Sequence, residues 1–264
     1  MRRHALLAAL LFFPLAHAAE ENFTVPFITT PDEVVHRMLE LAETRPGDLV
    51  VDLGSGDGRI VIAAAQKFGA RGLGIELDGA LVAKSRDNAL RAGVAERTSF
   101  VHGDVLATDI STASVVTVYL LPGLINRLQP KFLEGLQPGT RIVSHAFAMT
   151  GWKPDRRETM QIAGRHPGQG DESSLFLWIV PAEVRGLWHA PEARLRIHQN
   201  FQEIELEGRF RGRDEAMSRA SLRGREIAWE ADGLRFEGRL EGERLVGELS
   251  GHGRREPLVL SRVR

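Results

Sequence analysis

The distribution of apolar residues along the first two thirds of the chain predicts strands and helices in alternation. Residues 49–53 form a short apolar run without polar alternation, the mark of a strand buried on both faces. Further strands are expected at 72–76, 98–102, 115–120 and 141–145, and helices at 60–68, 80–92 and 124–136. A helix ahead of the first strand opens at Thr30-Pro31-Asp32-Glu33. Thr30 is placed to cap it, Pro31 suits the first helical position, and Glu33 completes a capping box. Val34, Val35, Met38, Leu39 and Leu41 then supply its apolar face before Pro46. Strands alternating with helices predict an α/β fold around a doubly wound, mostly parallel sheet. A closing hairpin is expected to pair 158–163 with 175–180 across the turn Pro167-Gly168-Gln169-Gly170.

After Pro181 the texture changes. From about Arg194 polar and apolar residues alternate, with turns at Ala231-Asp232-Gly233, Glu241-Gly242-Glu243 and Ser250-Gly251-His252-Gly253. Strands at 225–229, 234–240 and 244–249 read as a half-buried antiparallel meander. This predicts a small β-barrel or sandwich at 192–264, joined through 184–191 to a first domain spanning 19–183. The tail has no lysine, and its arginines are interleaved with glutamates. Two readings fit: a β domain that binds a partner, or a solvated sheet laced with cross-strand ion pairs.

The N-terminus adds a compartment. Arg2 and Arg3 precede an apolar run from Ala5 to Leu15, and Ala16-His17-Ala18 supplies an A-x-A cleavage pattern. The run is short for a membrane span, which needs about 20 apolar residues. The favoured reading is a signal peptide at 1–18, leaving a periplasmic or secreted chain that begins at Ala19. An amphipathic or buried N-terminal helix is the alternative. The formal net charge of -1 gives no electrostatic case for nucleic acid as the main partner. Absence of cysteine excludes disulfides, Cys-ligated metals and thiol catalysis. The pattern carries no signal for oligomeric state.

The chemistry concentrates in Asp52-Leu53-Gly54-Ser55-Gly56-Asp57-Gly58-Arg59, where a strand must turn sharply into a helix. Glycines there allow unusual dihedrals and close approach of a ligand. Glu76 ends the next strand, where an acid can grip a ribose diol, and Gly103-Asp104 follows the third strand, where a carboxylate can reach an adenine amino group. A dinucleotide site is the obvious rival. It wants a third glycine where Arg59 stands and lacks the acid at Asp52. Four acids, Asp52, Asp57, Glu76 and Asp104, suit a cationic ligand without a pyrophosphate, such as S-adenosyl-L-methionine (SAM) with its ammonium and sulfonium. The bland reading of these acids is strand-end capping and solvation.

With those motifs in place, residues 26–154 resemble class I SAM-dependent methyltransferases. Within them the chain is similar to the mitochondrial-type protein-lysine methyltransferases acting on adenine nucleotide translocase and the ATP synthase c subunit, and their bacterial relatives. The resemblance rests on Pro26-Phe27-Ile28-Thr29-Thr30-Pro31, the Asp52–Val61 stretch, Gly74-Ile75-Glu76-Leu77, and Phe147 with Trp152-Lys153-Pro154. It implies a Rossmann-like SAM-binding fold with SAM as cofactor. Asp52, Gly54 and Gly56 would line its methionine part, Glu76 the ribose, and Asp104 with Val105 the adenine; Ser55, Asp57, Gly58 and Leu77 would also belong to the cofactor-binding set. Phe27 and Thr30 would belong to a lid. One departure stands out: many amine-directed methyltransferases place Asn or Asp before Pro-Pro after the fourth strand, whereas here the chain reads Val118-Tyr119-Leu120-Leu121-Pro122.

The expected function is methyl transfer from SAM to a protein amine, with a protein substrate and an envelope association. An exported SAM- or nucleoside-binding module without catalysis is the alternative, because charged SAM does not cross membranes freely. Tyr119 and His145 end parallel strands on the ligand edge and are the candidate catalytic pair. Tyr119 would orient a substrate amine or simply pack; His145 would accept a proton or serve as a hydrogen-bonded structural histidine. Phe147 and Trp152 would wall a methylammonium or pack in the core.

Overall fold

A computed structural model of the protein describes residues 28–166 and 170–263. The expected signal peptide, Phe27 and most of the turn at 167–170 lie outside the described residues. The first layer structure contains α1 (Asp32–Leu41), β1 (Leu49–Leu53), α2 (Arg59–Phe68), β2 (Arg71–Glu76), α3 (Gly79–Arg91), β3 (Thr98–His102), β4 (Val115–Val118), α4 (Pro122–Gly135), β5 (Arg141–His145), β6 (Arg156–His166) and β7 (Gly170–Ile179). The strands form one seven-stranded sheet in the order β3-β2-β1-β4-β5-β7-β6. β1 to β5 are parallel where they pair, and β7 enters antiparallel between β5 and β6.

Alternation across the sheet decides which face each strand residue serves. Val50, Val115 and Val143 pack with Val34, Met38 and Leu39 of α1 and with Ile60 and Ala64 of α2. Their neighbours Val51, Val116, Val118 and Ile142 face the other way, onto Ile125, Leu128 and Phe132 of α4. α2 and α3 close on Phe100 of β3. Both faces of the central strands are therefore dry, as the apolar run in β1 requires.

Two local expectations are corrected. The capping box at Thr30 does not form: Pro31 stands at the N-cap, without a side-chain cap. Thr30 instead reaches His145, and Glu33 accepts the backbone N–H of Ala163. Tertiary partners outcompete the local cap. β4 ends at Val118 rather than at Leu120, because Pro122 starts α4 and leaves Tyr119 and Leu120 in the turn.

A second sheet follows, built from β8 (Gly186–Ala190), β9 (Ala193–Asn200), β10 (Glu203–Phe210), β11 (Arg213–Ala216), β12 (Ser218–Arg223), β13 (Glu226–Ala231), β14 (Leu234–Glu241), β15 (Arg244–Gly251) and β16 (Arg254–Arg262). Its order is β11-β10-β9-β8-β16-β15-β14-β13-β12. The two end strands are consecutive in sequence, and between them the Met217 N–H donates to Leu206 O of β10 at 2.8 Å. The sheet thus curls until its ends meet, an antiparallel barrel. Alternating residues fill it: Trp188, Leu195, Ile197, Phe210, Trp229, Phe236, Leu249 and Leu260 are buried in one cluster. Outside, Arg235 pairs with Glu230 and Glu237, and Arg219 with Glu230. The 184–191 segment, expected as a connector, contains β8, which is part of this barrel. Five residues ending in a tight turn were too few to show the alternation visible from Arg194 onwards.

Candidate active site

The glycine-rich turn between β1 and α2 hangs on the neighbouring strand. The N–H groups of Gly54 and Ser55 both donate to Ile75 O, at 2.9 and 3.0 Å, and Gly58 N–H donates to Ser55 O at 2.8 Å. Gly58 is fixed as glycine twice over. Its φ is +82°, and a Cβ there would sit 2.7 Å from the Phe100 ring and 2.8 Å from Ser85 Cβ. Gly54, at φ +77°, leaves room of the same kind for Leu120.

Acids gather around this turn. Glu76 accepts from Gly56 N–H at 2.8 Å and from Asp78 N–H at 3.0 Å, so the end of β2 is tied to the loop. Asp52 is 2% exposed and accepts a 2.7 Å hydrogen bond from Thr117 Oγ1 of β4. Burial pushes its carboxyl up to about 7; the Thr117 bond opposes the rise, and the charges of Glu76 and Asp57 add to it. Burial also works against ionised Asp57, but Arg59 outweighs it with bonds of 2.7 and 3.0 Å and holds that carboxyl below its ordinary value. Asp52 is therefore a buried acid among acids, without a cation of its own among the described residues. Ser55 Oγ, in the same turn, is buried over Gly74 of β2 and has no hydrogen-bond partner among the described residues.

The other expected residues fall on the same sheet edge. Gly103 N–H donates to Glu76 O at 2.9 Å, which brings the Asp104 loop against the end of β2. Asp104 is exposed and accepts from Leu106 N–H at 2.8 Å; Val105 is buried behind it. Leu77 stands 68% exposed, an apolar side chain next to Glu76.

Tyr119 follows β4 directly, with its ring centroid 4.3 Å from that of His145 and 6.3 Å from that of Phe147, nearly parallel to the latter. His145 is fully buried, with Nδ1 3.3 Å from Thr30 Oγ1 and Nε2 3.2 Å from Ser173 Oγ. That is the geometry of a hydrogen-bonded structural histidine rather than of a group open to a substrate proton. Beyond it the backbone makes a γ-turn: Phe147 N–H donates to His145 O at 2.9 Å across Ala146, whose φ is +70°. A side chain in this conformation is strained, and such strain marks positions held by their surroundings. Trp152 does not join the aromatic group. It is 1% exposed and stacks on Phe201 of the barrel, so the expected methylammonium wall does not include it.

Three residues had no assigned part beforehand. Arg59 bonds Asp57 and also donates from Nη1 to Thr30 O at 3.0 Å, tying the glycine turn to the segment before α1. Its sequence signal was present, as the residue occupying the third glycine position of a dinucleotide fingerprint. Thr117 and Ser173, which hold Asp52 and His145, had none.

The ANTKMT methyltransferase domain family matches residues 52–156. Over 131 residues the chain is 44% identical to a protein-lysine N-methyltransferase of Saccharolobus islandicus (strain REY15A), covering 49% of this chain and 81% of that protein. The chain belongs to the ANTKMT methyltransferase family. As a member it is a SAM-dependent methyltransferase. It is also 35% identical over 146 residues to the adenine nucleotide translocase lysine N-methyltransferase of Mus musculus, spanning 55% of this chain and 63% of that one, under two thirds of the relative's length. Among solved structures, an RNA methyltransferase from Salinibacter ruber in complex with S-adenosyl-L-homocysteine matches with TM-score 0.54 and 49% identity, over 60% of this chain and 96% of that one. The family match ends at 156, ahead of the barrel. SAM fits the residues present. The unpaired buried Ser55 hydroxyl and the raised, uncompensated Asp52 carboxyl both call for a ligand, and the latter for a cationic one.

Proposed function

We propose that this methyltransferase acts outside the cytosol and transfers methyl groups to lysine amines of a protein. The observation that carries the reading is the placement of Tyr119 and Phe147 on the sheet edge that also bears Asp52, the glycine turn and Glu76. In this reading Asp52, with Gly54 to Gly58, would hold the methionine end of SAM, and Glu76 would hold its ribose. Leu77, Asp104 and Val105 would hold its adenine end, Leu77 with its exposed apolar side chain and Asp104 with its carboxylate. Thr30, with Phe27, belongs to the segment that closes over the site, and Arg59 anchors that segment.

When bound, SAM supplies an already activated methyl on a sulfonium. The protein's remaining tasks are alignment and exclusion of water. Tyr119 accepts an N–H of the substrate amine through its phenol oxygen and so leaves the amine lone pair free and oriented. Phe147 supplies an aromatic face beside it, which favours a cationic methylated product. His145, packed against Tyr119 and fixed by Thr30 and Ser173, sets the tyrosine ring and is a positioning residue. The lysine enters as the free amine, its proton given to bulk water before the site closes, and the methylammonium formed on transfer is the cation that the Phe147 face favours. The name of the Salinibacter protein raises RNA as acceptor. The acids Glu76, Asp78 and Asp104 at this edge and the net charge of -1 disfavour a phosphate backbone. Export rests on Arg2, Arg3, the apolar run and the A-x-A pattern, and N-terminal sequencing of an envelope fraction is expected to return Ala19.

Calorimetry and single-turnover transfer test the site. Glu76→Ala should weaken SAM binding by about 1.5–3 kcal/mol for a lost charged acceptor. Tyr119→Phe should leave that affinity unchanged and slow transfer. Wild-type transfer rates in Tyr119→Phe would remove the tyrosine from the acceptor side, and full affinity in Glu76→Ala would remove Glu76 from the cofactor site.

A further inference from the structure

Between β5 and β6 the chain runs without a helix from residue 146 to 155, and this loop joins the site to the barrel. At the site end, Ser144 Oγ donates to Phe147 O at 2.6 Å and sets the ring beside Tyr119. In the middle, Asn126 of α4 holds Thr150 through N–H to Oδ1 at 2.8 Å and Nδ2 to Oγ1 at 3.1 Å. At the far end the holding groups come from the turn between β9 and β10. Phe201 stacks on Trp152 with centroids 5.5 Å apart and 12° between planes. Gln202 clamps two successive residues: its Oε1 accepts from Trp152 Nε1 at 2.9 Å, and its Nε2 donates to Lys153 O at 2.6 Å. Lys153 and Glu203 add an ion pair at 3.0 Å.

The turn itself is held under strain. Phe201 has φ +55°, a conformation that a bulky residue rarely keeps unless its surroundings require it. Gln199 fixes it from behind, donating from Nε2 to Phe201 O at 2.8 Å and to Ala182 O at 2.9 Å, and accepting from Val184 N–H at 2.7 Å. The sheet face beneath, with Phe176 and Trp178 of β7, belongs to the same apolar cluster that Phe201 joins. Here a barrel turn covers a sheet face that a crossover helix covers in ordinary doubly wound folds.

We infer that Phe201 and Gln202 are positioning residues for methyl transfer, acting through the 146–155 loop on Phe147 and thereby on the acceptor side of the site. The barrel is then part of the catalytic unit, not an appended binding module. The inference rests on the proposed acceptor-side role of Tyr119 and Phe147, and neither barrel residue touches substrate.

The experiment is single-turnover transfer in the full-length protein with Phe201→Ala, Gln202→Ala, Phe201→Tyr, Tyr119→Phe and a remote barrel variant, Arg235→Gln. SAM affinity is measured for each. Phe201→Ala and Gln202→Ala should each slow transfer roughly tenfold, since small misplacements near reacting atoms are expensive in rate. SAM affinity should stay within about twofold, because the cofactor residues lie on other loops. Phe201→Tyr, which keeps the stacked ring, and Arg235→Gln should turn over at the wild-type rate. Wild-type rates in both alanine variants would overturn the inference, and a slow Tyr119→Phe in the same series would show that the acceptor-side reading survives it. A parallel loss of SAM affinity, or a failure of Phe201→Tyr to restore the rate, would mark general loosening and also overturn it. A wild-type rate in Tyr119→Phe would instead sink the reading on which the inference rests.

Discussion

Asn in place of Asp52 should make the ligand-free protein more stable at pH 8 while weakening its hold on SAM. The carboxyl is buried and pushed from an ordinary 3.8 to about 7. A raised acid is protonated in the folded state and ionised in the unfolded state between those two values. Its ionisation therefore opposes folding: the penalty is absent below 3.8, grows with pH, and is complete above about 7. At about 1.4 kcal/mol for each tenfold change in proton affinity, the full penalty is about 4 kcal/mol. An asparagine keeps an oxygen to accept from Thr117 but brings two amide hydrogens into a buried site, which costs about 1–3 kcal/mol. The net gain at pH 8 should be about 1–3 kcal/mol, and near pH 4, where the ionisation penalty is nearly absent and the amide cost remains, the variant should be the less stable protein by about 1–2 kcal/mol. Cationic SAM reverses the logic, because it favours the ionised aspartate. Binding to the wild type below about pH 7 should release a proton, visible by calorimetry in buffers of different ionisation enthalpy, and Asp52→Asn should bind more weakly without that release. Denaturant unfolding at pH 4 and pH 8 supplies the stabilities. An Asp52→Asn protein no more stable than wild type at pH 8, or wild-type binding with no proton exchange, would refute the reasoning.

Gly58→Ala should lower stability by about 2–4 kcal/mol in a thermal melt, since its φ of +82° and the 2.7 Å approach to Phe100 leave no room for a methyl group. Arg141→Met should cost about 3–5 kcal/mol by leaving Asp48, its 2.6 Å partner, buried with Ser114 as its remaining side-chain partner. A chain ending at Ala182 should still bind SAM, but it should melt earlier and transfer slowly, because Trp152 and Trp178 lose the cover of Phe201. An unaltered melting temperature in that truncated chain would show that the barrel turn contributes no packing.

Much of the first sheet was legible, and the reason is physical. β1 and β5 fall on the residues expected, 49–53 and 141–145, because strands in a sheet covered on both faces have to be short, apolar and bounded by turn residues; β3, a largely exposed edge strand, falls on 98–102 through its β-branched and aromatic residues between turn signals. Local signals failed where a distant partner intervened. Thr30 reads as a cap until His145, 115 residues on, claims its hydroxyl. Trp152 reads as a site aromatic until Phe201, in another sheet, stacks on it. In the site, the strand-end acids and glycines were visible because topology fixes where strand ends lie. Arg59 was visible only as a departure, since an arginine opening a helix resembles a solvated residue until its bonds to Asp57 and Thr30 O are seen.

Methyl transfer from radiolabelled SAM into an envelope extract tests the central claim most directly, followed by digestion with protease or ribonuclease and mass spectrometry of the labelled product. The account predicts label in protein, sensitive to protease and recovered as methyl-lysine, and lost with Glu76→Ala. Label released by ribonuclease, or SAM bound tightly with no transfer to any component, would contradict it.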